Sequence, residues 1–161
     1  MSYIADRVVH DADAHIMETP DWLRSYADPS IRDRLERPGY SNELKQTDGA
    51  GDELGDLHAV FDRLAQRHRS AEFLADEEAE VMNRKNFAAT GSFLPEDRPR
   101  VLDFIGVRSQ LMFNTFHNGK LHDWEHQPDL DLAYGAARAH NRGMVEFCAV
   151  DKRLLPTCYV P

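Results

Sequence analysis

Three short strand-like runs, Val8–Ile16, Val107–Phe116 and Leu154–Val160, alternate along the chain with stretches of helical patterning. Strands that alternate with helices point to right-handed crossovers and a parallel sheet. The predicted order is strand, helical insertion, strand, helix, strand, an α/β class. Three strands are few for a parallel sheet, which wants helices on both faces. The third run also closes the sequence with no helix after it. This pattern has the look of the opening portion of a larger α/β architecture.

The helical stretches carry their own signals. Thr19 is placed as an N-cap, with Pro20 in the first helical position and Asp21 in the first turn. Trp22, Leu23 and Tyr26 then share a face, and Pro38-Gly39 ends the unit. Ser41 to Gly51 is polar and turn-rich, a surface loop. Leu54, Leu57, Phe61, Leu64 and His68 recur at amphipathic helical spacing. Ala71 to Ala89 gathers acids at Asp76, Glu77, Glu78 and Glu80 and loses the apolar period, as a solvated helix or lid-like insertion does. Pro95 to Phe104 predicts a helix with Gly106 at its carboxyl cap. A polar loop with His117, Asn118, Gly119 and His122 follows the second strand. Leu130, Ala133, Tyr134, Ala137, Asn141, Met144 and Cys148 mark a long helix. Residues 1–161 are thus expected to form a single partial domain, with a helical insertion at 40–89.

The 161 residues include 19 Lys+Arg against 28 Asp+Glu, a formal charge of −9. An acidic surface repels phosphates, and no basic patch appears, so nucleic acid is not an expected partner. No apolar run approaches the roughly 18 residues of a membrane span. MSYIADRVVHDADAH is too charged for a signal peptide. Two cysteines, Cys148 and Cys158, are no disulfide framework, and the cytoplasm is the expected compartment.

The string VVHDADAHIMETP holds the chemistry. Alternate strand residues share a face, so Asp11, Asp13 and His15 line one side. Asp13 and His15, two apart at the carboxyl end of the strand, come within reach of one metal ion. A carboxylate oxygen and an imidazole nitrogen suit zinc or a similar divalent cation. Parallel α/β folds place their sites at the carboxyl ends of strands. Two acids before a lone histidine describe a turn with a satisfied buried His equally well. Short D-x-H strings are common.

DADAHIMETP resembles the amino terminus of the amidohydrolase-related family, the aminocarboxymuconate semialdehyde decarboxylases and related metal-dependent hydrolases. VLDFIGVRSQLMFNT is similar to that family's helix and second strand. AYGAARAHNRGMVEFCAVDKRLLPTCYVP is similar to its next helix and third strand. The likeness covers most of the chain in order, except Tyr40 to Ala89. It implies a (β/α)8 TIM barrel, of which this chain would be the amino-terminal part with about three β/α units. It implies a divalent metal, zinc or else manganese, held by Asp13 and His15, with Asp standing where family members carry His. Glu18 matches the family's nearby acid in a supporting, site-lining place, although Thr19 stands where the pattern has proline. An acid near a helix start explains Glu18 as well. The activity implied is hydrolysis of a C–N, C–O or C–C bond, or decarboxylation of a carbonyl or aromatic acid, on a small-molecule substrate. The family's later metal-binding His, catalytic His and late-strand Asp have no counterpart in these residues, so no catalytic residue is assigned. Two ligands fall short of the three or four usual for zinc, and the chain alone is expected to be a poor catalyst.

His117, following strand two, is placed at the mouth of the site. With His122 and His126 it spells H-x4-H-x3-H, in which the last pair can share a helix face and bind metal, or simply belong to a polar loop. Trp124 is either a packed anchor or a substrate-facing ring. The open third strand predicts self-association, or completion by the remaining barrel strands. The alternative function is a non-catalytic helical interaction module that uses the acidic Leu54 to Glu80 as its contact surface.

Overall fold

The structure, a computed structural model, describes residues 7–40 and 56–161. The expected loop at Ser41–Gly51 and the apolar Leu54 lie outside the described residues. In chain order the elements are β1 (His10–His15), α1 (Trp22–Ser25), α2 (Leu57–His68), α3 (Ala71–Ala75) and α4 (Glu77–Glu80). They continue with α5 (Arg98–Ile105), β2 (Ser109–Phe113), α6 (Asn118–Glu125), α7 (Leu130–Cys148) and β3 (Leu154–Pro156). Two compact units divide the chain. One joins Met1–His10 to Tyr40–Ser109, and the other joins Asp11–Gly39 to Gln110–Pro161.

The sheet has the order β1-β2-β3, with β2 between its neighbours. β2 and β3 run parallel, Gln110 opposite Leu154 and Met112 opposite Pro156. Arg108 N–H donates to the Val9 carbonyl and Ile16 N–H to the Phe113 carbonyl, both at 2.8 Å. Those contacts advance together along both strands, so β1 is parallel to β2. The barrel expectation is corrected here. Among the described residues the sheet is open, with β1 and β3 at its edges. Closing a barrel takes about eight tilted strands. β3 is cut short by Pro156, which has no N–H for the ladder. Pairing then resumes at Thr157, whose N–H reaches the Met112 carbonyl at 3.1 Å.

Behind the sheet runs α7. Asp129 caps it by accepting from Leu132 N–H at 3.1 Å. Leu132, Ala133, Ala136, Ala137, His140, Met144 and Phe147 form its buried face, the i, i+3, i+4 stripe of an amphipathic helix. Small residues let α1 approach closely, and a Cβ at Gly143 would lie 2.5 Å from Trp22 Cζ2.

The helix expected to start at Thr19 and to end before Pro38-Gly39 is a four-residue α1 followed by a 3-10 turn at Arg32–Arg34. Pro29 disfavours helical geometry at Asp28. The N-cap is Asp21 and not Thr19. Its carboxylate accepts from Arg37 at 2.9 and 3.2 Å instead of capping the helix.

The other unit has an aromatic core of Tyr40, Phe61, Phe73, Phe87 and Phe93. Phe61 meets Phe87 edge-on at 5.0 Å, a favoured aromatic geometry. α2 buries Val60, Phe61, Leu64 and His68. Gly106 caps α5 with φ +79°, a conformation that only glycine adopts cheaply. The acidic run is partly internal. Glu77 is buried and takes a bidentate pair from Arg100 at 2.7 and 2.8 Å, and Asp76 pairs with Arg84. No helix among the described residues is long and apolar enough to cross a membrane.

Candidate functional site

At the carboxyl end of β1 the three residues singled out in DADAH divide their work. Asp11 is held structurally. Its Oδ1 accepts from Asp13 N–H at 3.0 Å and its Oδ2 from Gln110 Nε2 at 2.9 Å. Ala14 is buried, as alternation requires, while the Asp13 side chain is 88% exposed and that of His15 40%.

The ring of His15 is oriented from β2. Its Nδ1 lies 3.0 Å from the Asn114 carbonyl and 3.3 Å from Thr115 Oγ1. The Thr115 hydroxyl donates its own proton to the Ile16 carbonyl at 2.6 Å, so its oxygen is an acceptor toward His15. Two acceptors place the proton on Nδ1. The ring also stacks on Phe113 at 5.7 Å. Nε2 is thereby turned toward Asp13 Oδ1 at 3.2 Å. A bare nitrogen lone pair and a carboxylate oxygen at that distance repel each other. A second proton or a cation between them removes the repulsion.

Glu18 and His117 are also brought together, but in the interior. Glu18 is 1% exposed and so is His117. The Glu18 carboxylate accepts from the backbone N–H groups of Thr115, Phe116 and His117 at 3.0 to 3.2 Å. These groups precede the first turn of α6, where a negative charge is favoured. His117 Nδ1 adds a side-chain contact at 3.2 Å. Burial alone would raise the Glu18 pKa. The His117 hydrogen bond and charge, with the Phe116 N–H, overcome it and hold the carboxyl below its ordinary value. Thr115 touches both His15 and Glu18, so the buried pair sets the position of the loop that orients His15.

A second histidine shares this interior. His140 and His117 each lie 6.0 Å from the Trp22 ring. The Asn141 amide is clamped by the Tyr159 backbone, accepting from its N–H at 2.7 Å and donating to its carbonyl at 2.9 Å. Asn141 Oδ1 therefore faces His140 Nδ1–H at 2.9 Å. His140 Nε2 has no partner among the described residues. Burial, as the main cause, pushes the His140 pKa down.

The expected polar loop after strand two is the helix α6, whose Leu121 and Trp124 are buried. Trp124 is thus a packed anchor. His117 stands at the buried start of α6, and His122 and His126 at its exposed end. Asn114 and Thr115 carry no sequence signal of their own, although they directly follow Phe113 at the end of β2. His140 was assigned only to a helix. The spacing of Ala133, Ala136, Ala137, His140 and Met144 is the signal that places it inward. Comparison of the chain with protein-family models, curated proteins and solved structures returns no match.

Proposed function

We propose that this chain is a metal-dependent enzyme of the amidohydrolase-like kind. It would hydrolyse a C–N, C–O or C–C bond, or decarboxylate a carbonyl or aromatic acid, at the carboxyl end of its parallel sheet. The observation that carries this reading is the apposition of His15 Nε2 and Asp13 Oδ1 at 3.2 Å, with the His15 tautomer dictated from behind. A backbone carbonyl on the far ring nitrogen is the usual support of a metal-binding imidazole. One nitrogen and one carboxylate oxygen fit zinc or manganese. Bound there, the ion would activate a water and polarise a substrate carbonyl.

Asp13 and His15 would hold the cation, Asn114 and Thr115 fix the imidazole, and Glu18 with His117 fixes Thr115. Two protein ligands are fewer than the three or four usual for zinc, so the ion would have to be supplied in the buffer. A buried Cys148 and an exposed Cys158 suit a reducing compartment, the cytoplasm.

The test is a panel of amides, esters and carboxylated carbonyl compounds, assayed with chelator-stripped protein reloaded with zinc or manganese. Activity should return with metal. Asp13→Ala and His15→Ala should each lower activity by orders of magnitude and remove one equivalent of bound metal, and His122→Ala should leave activity in place. Metal uptake and turnover unchanged in both first-strand variants would remove the reading.

A further inference from the structure

We propose that the exposed end of α6 is a second divalent-metal site, of the zinc class, built from His122, Glu125 and His126. One ligand atom from each residue lies within 4.8 Å of the other two. Spacings of three and four residues put all three on one face of the helix end. Both imidazoles close on one carboxylate oxygen: His122 Nδ1 is 3.2 Å and His126 Nδ1 3.5 Å from Glu125 Oε1. Their ring centroids are 4.3 Å apart. Two imidazoles crowding one carboxylate at the negative end of a helix make a place for positive charge.

The ligands are supported from outside the trio. His126 Nδ1 lies 2.9 Å from the His122 carbonyl. That contact puts the proton on Nδ1, so the 3.5 Å approach to Glu125 is a ring contact and Nε2 is the His126 atom left for a metal. The other Glu125 oxygen accepts from the Tyr159 hydroxyl at 2.6 Å, and Tyr159 is itself clamped through its backbone by Asn141. Buried Trp124 anchors the turn that presents the three side chains. Two nitrogens and one carboxylate oxygen select zinc-like ions over magnesium or calcium, which prefer oxygen shells. Three protein ligands leave a fourth position for water. A bound ion would fasten the end of α6 to the segment after β3 through Tyr159.

This site shares no residue with Asp13–His15, and the experiment keeps the two apart. Zinc binding is measured by calorimetric titration in a chain already carrying Asp13→Ala and His15→Ala. That background should still bind one equivalent of zinc and show a raised melting temperature when loaded. Adding His122→Gln and His126→Gln, both at exposed side chains, should weaken binding at least about 100-fold and abolish the thermal shift. Tyr159→Phe alone should weaken it about 10-fold, the usual cost of losing a support to a ligand. Equal affinity with and without the two histidines, or no zinc binding in the background chain, overturns the proposal.

Discussion

Glu18 is ionised in a place where burial alone would neutralise it, because three backbone N–H groups and His117 converge on its carboxylate. Removing it strands His117 and those donors together. Glu18→Ala should therefore cost about 3–5 kcal/mol in urea unfolding, the range for breaking a buried pair. A loss below about 1 kcal/mol would show that the pair is not structural. The titration signs follow from the same burial. His68 and His140 have pKa values lowered chiefly by burial. Between their folded values and the unfolded value of about 6.5, the unfolded chain binds more protons. Stability should fall as pH drops below about 6.5. Glu18 has a lowered folded value too, so its contribution is present above about 4.3 and is lost as pH falls through the folded value. Melting temperature against pH should decline in two stages, and His140→Gln should reduce the first. A flat profile from pH 7 to 5 would contradict this.

At the scale of elements, periodicity and caps were legible where one face of a segment is apolar over several turns. α2 and α7 lie where the spacing puts them, and Gly106 caps α5. The strand positions were legible for a different reason, since β2 and β3 are short runs with apolar residues bounded by polar ones, while β1, HDADAH, is marked by the Val8-Val9 before it and the alternation within it. Less legible were elements settled by tertiary contact. α6 looks polar because only Leu121 and Trp124 face inward, and α1 is cut short by Pro29 despite a good start signal. In the site, DADAH shows the pair proposed as ligands, whereas Asn114 and Thr115 orient His15 through a carbonyl and a hydroxyl that no residue pattern reveals. Packing of α1 on α7 gives a sharper test. A Cβ at Gly143 meets the rigid Trp22 ring at 2.5 Å, while one at Gly135 meets the flexible end of Ile31 at 2.7 Å. Overpacking typically costs about 1–3 kcal/mol, against a helix-propensity gain of about 1 kcal/mol for Gly to Ala. Gly143→Ala should destabilise by about 1–2 kcal/mol and Gly135→Ala by less, as read from urea midpoints. The reverse order would mean that the helices adjust at Trp22.

For the molecule as a whole, the outer edges of β1 and β3 have no strand partner among the described residues. Leu155 is 46% exposed and Val160 81%. Unpaired strand edges template association, so sedimentation should show concentration-dependent self-association that Leu155→Lys reduces. A monomer at every concentration would sink that expectation while leaving the site untouched. The barrel implied by family resemblance failed for a topological reason, because similar strand and helix phrases build an open sheet as readily as a closed one. The metal reading depends instead on two atoms and the proton between them. Long-range proton–nitrogen NMR of the histidine rings at neutral pH, during zinc titration, reads that proton directly. His15 should keep its proton on Nδ1 and show its Nε2 resonance shifting to a metal-bound position on zinc addition. A His15 ring protonated on both nitrogens and unmoved by zinc would mean that a proton bridges it to Asp13, and the proposed metal site would be contradicted.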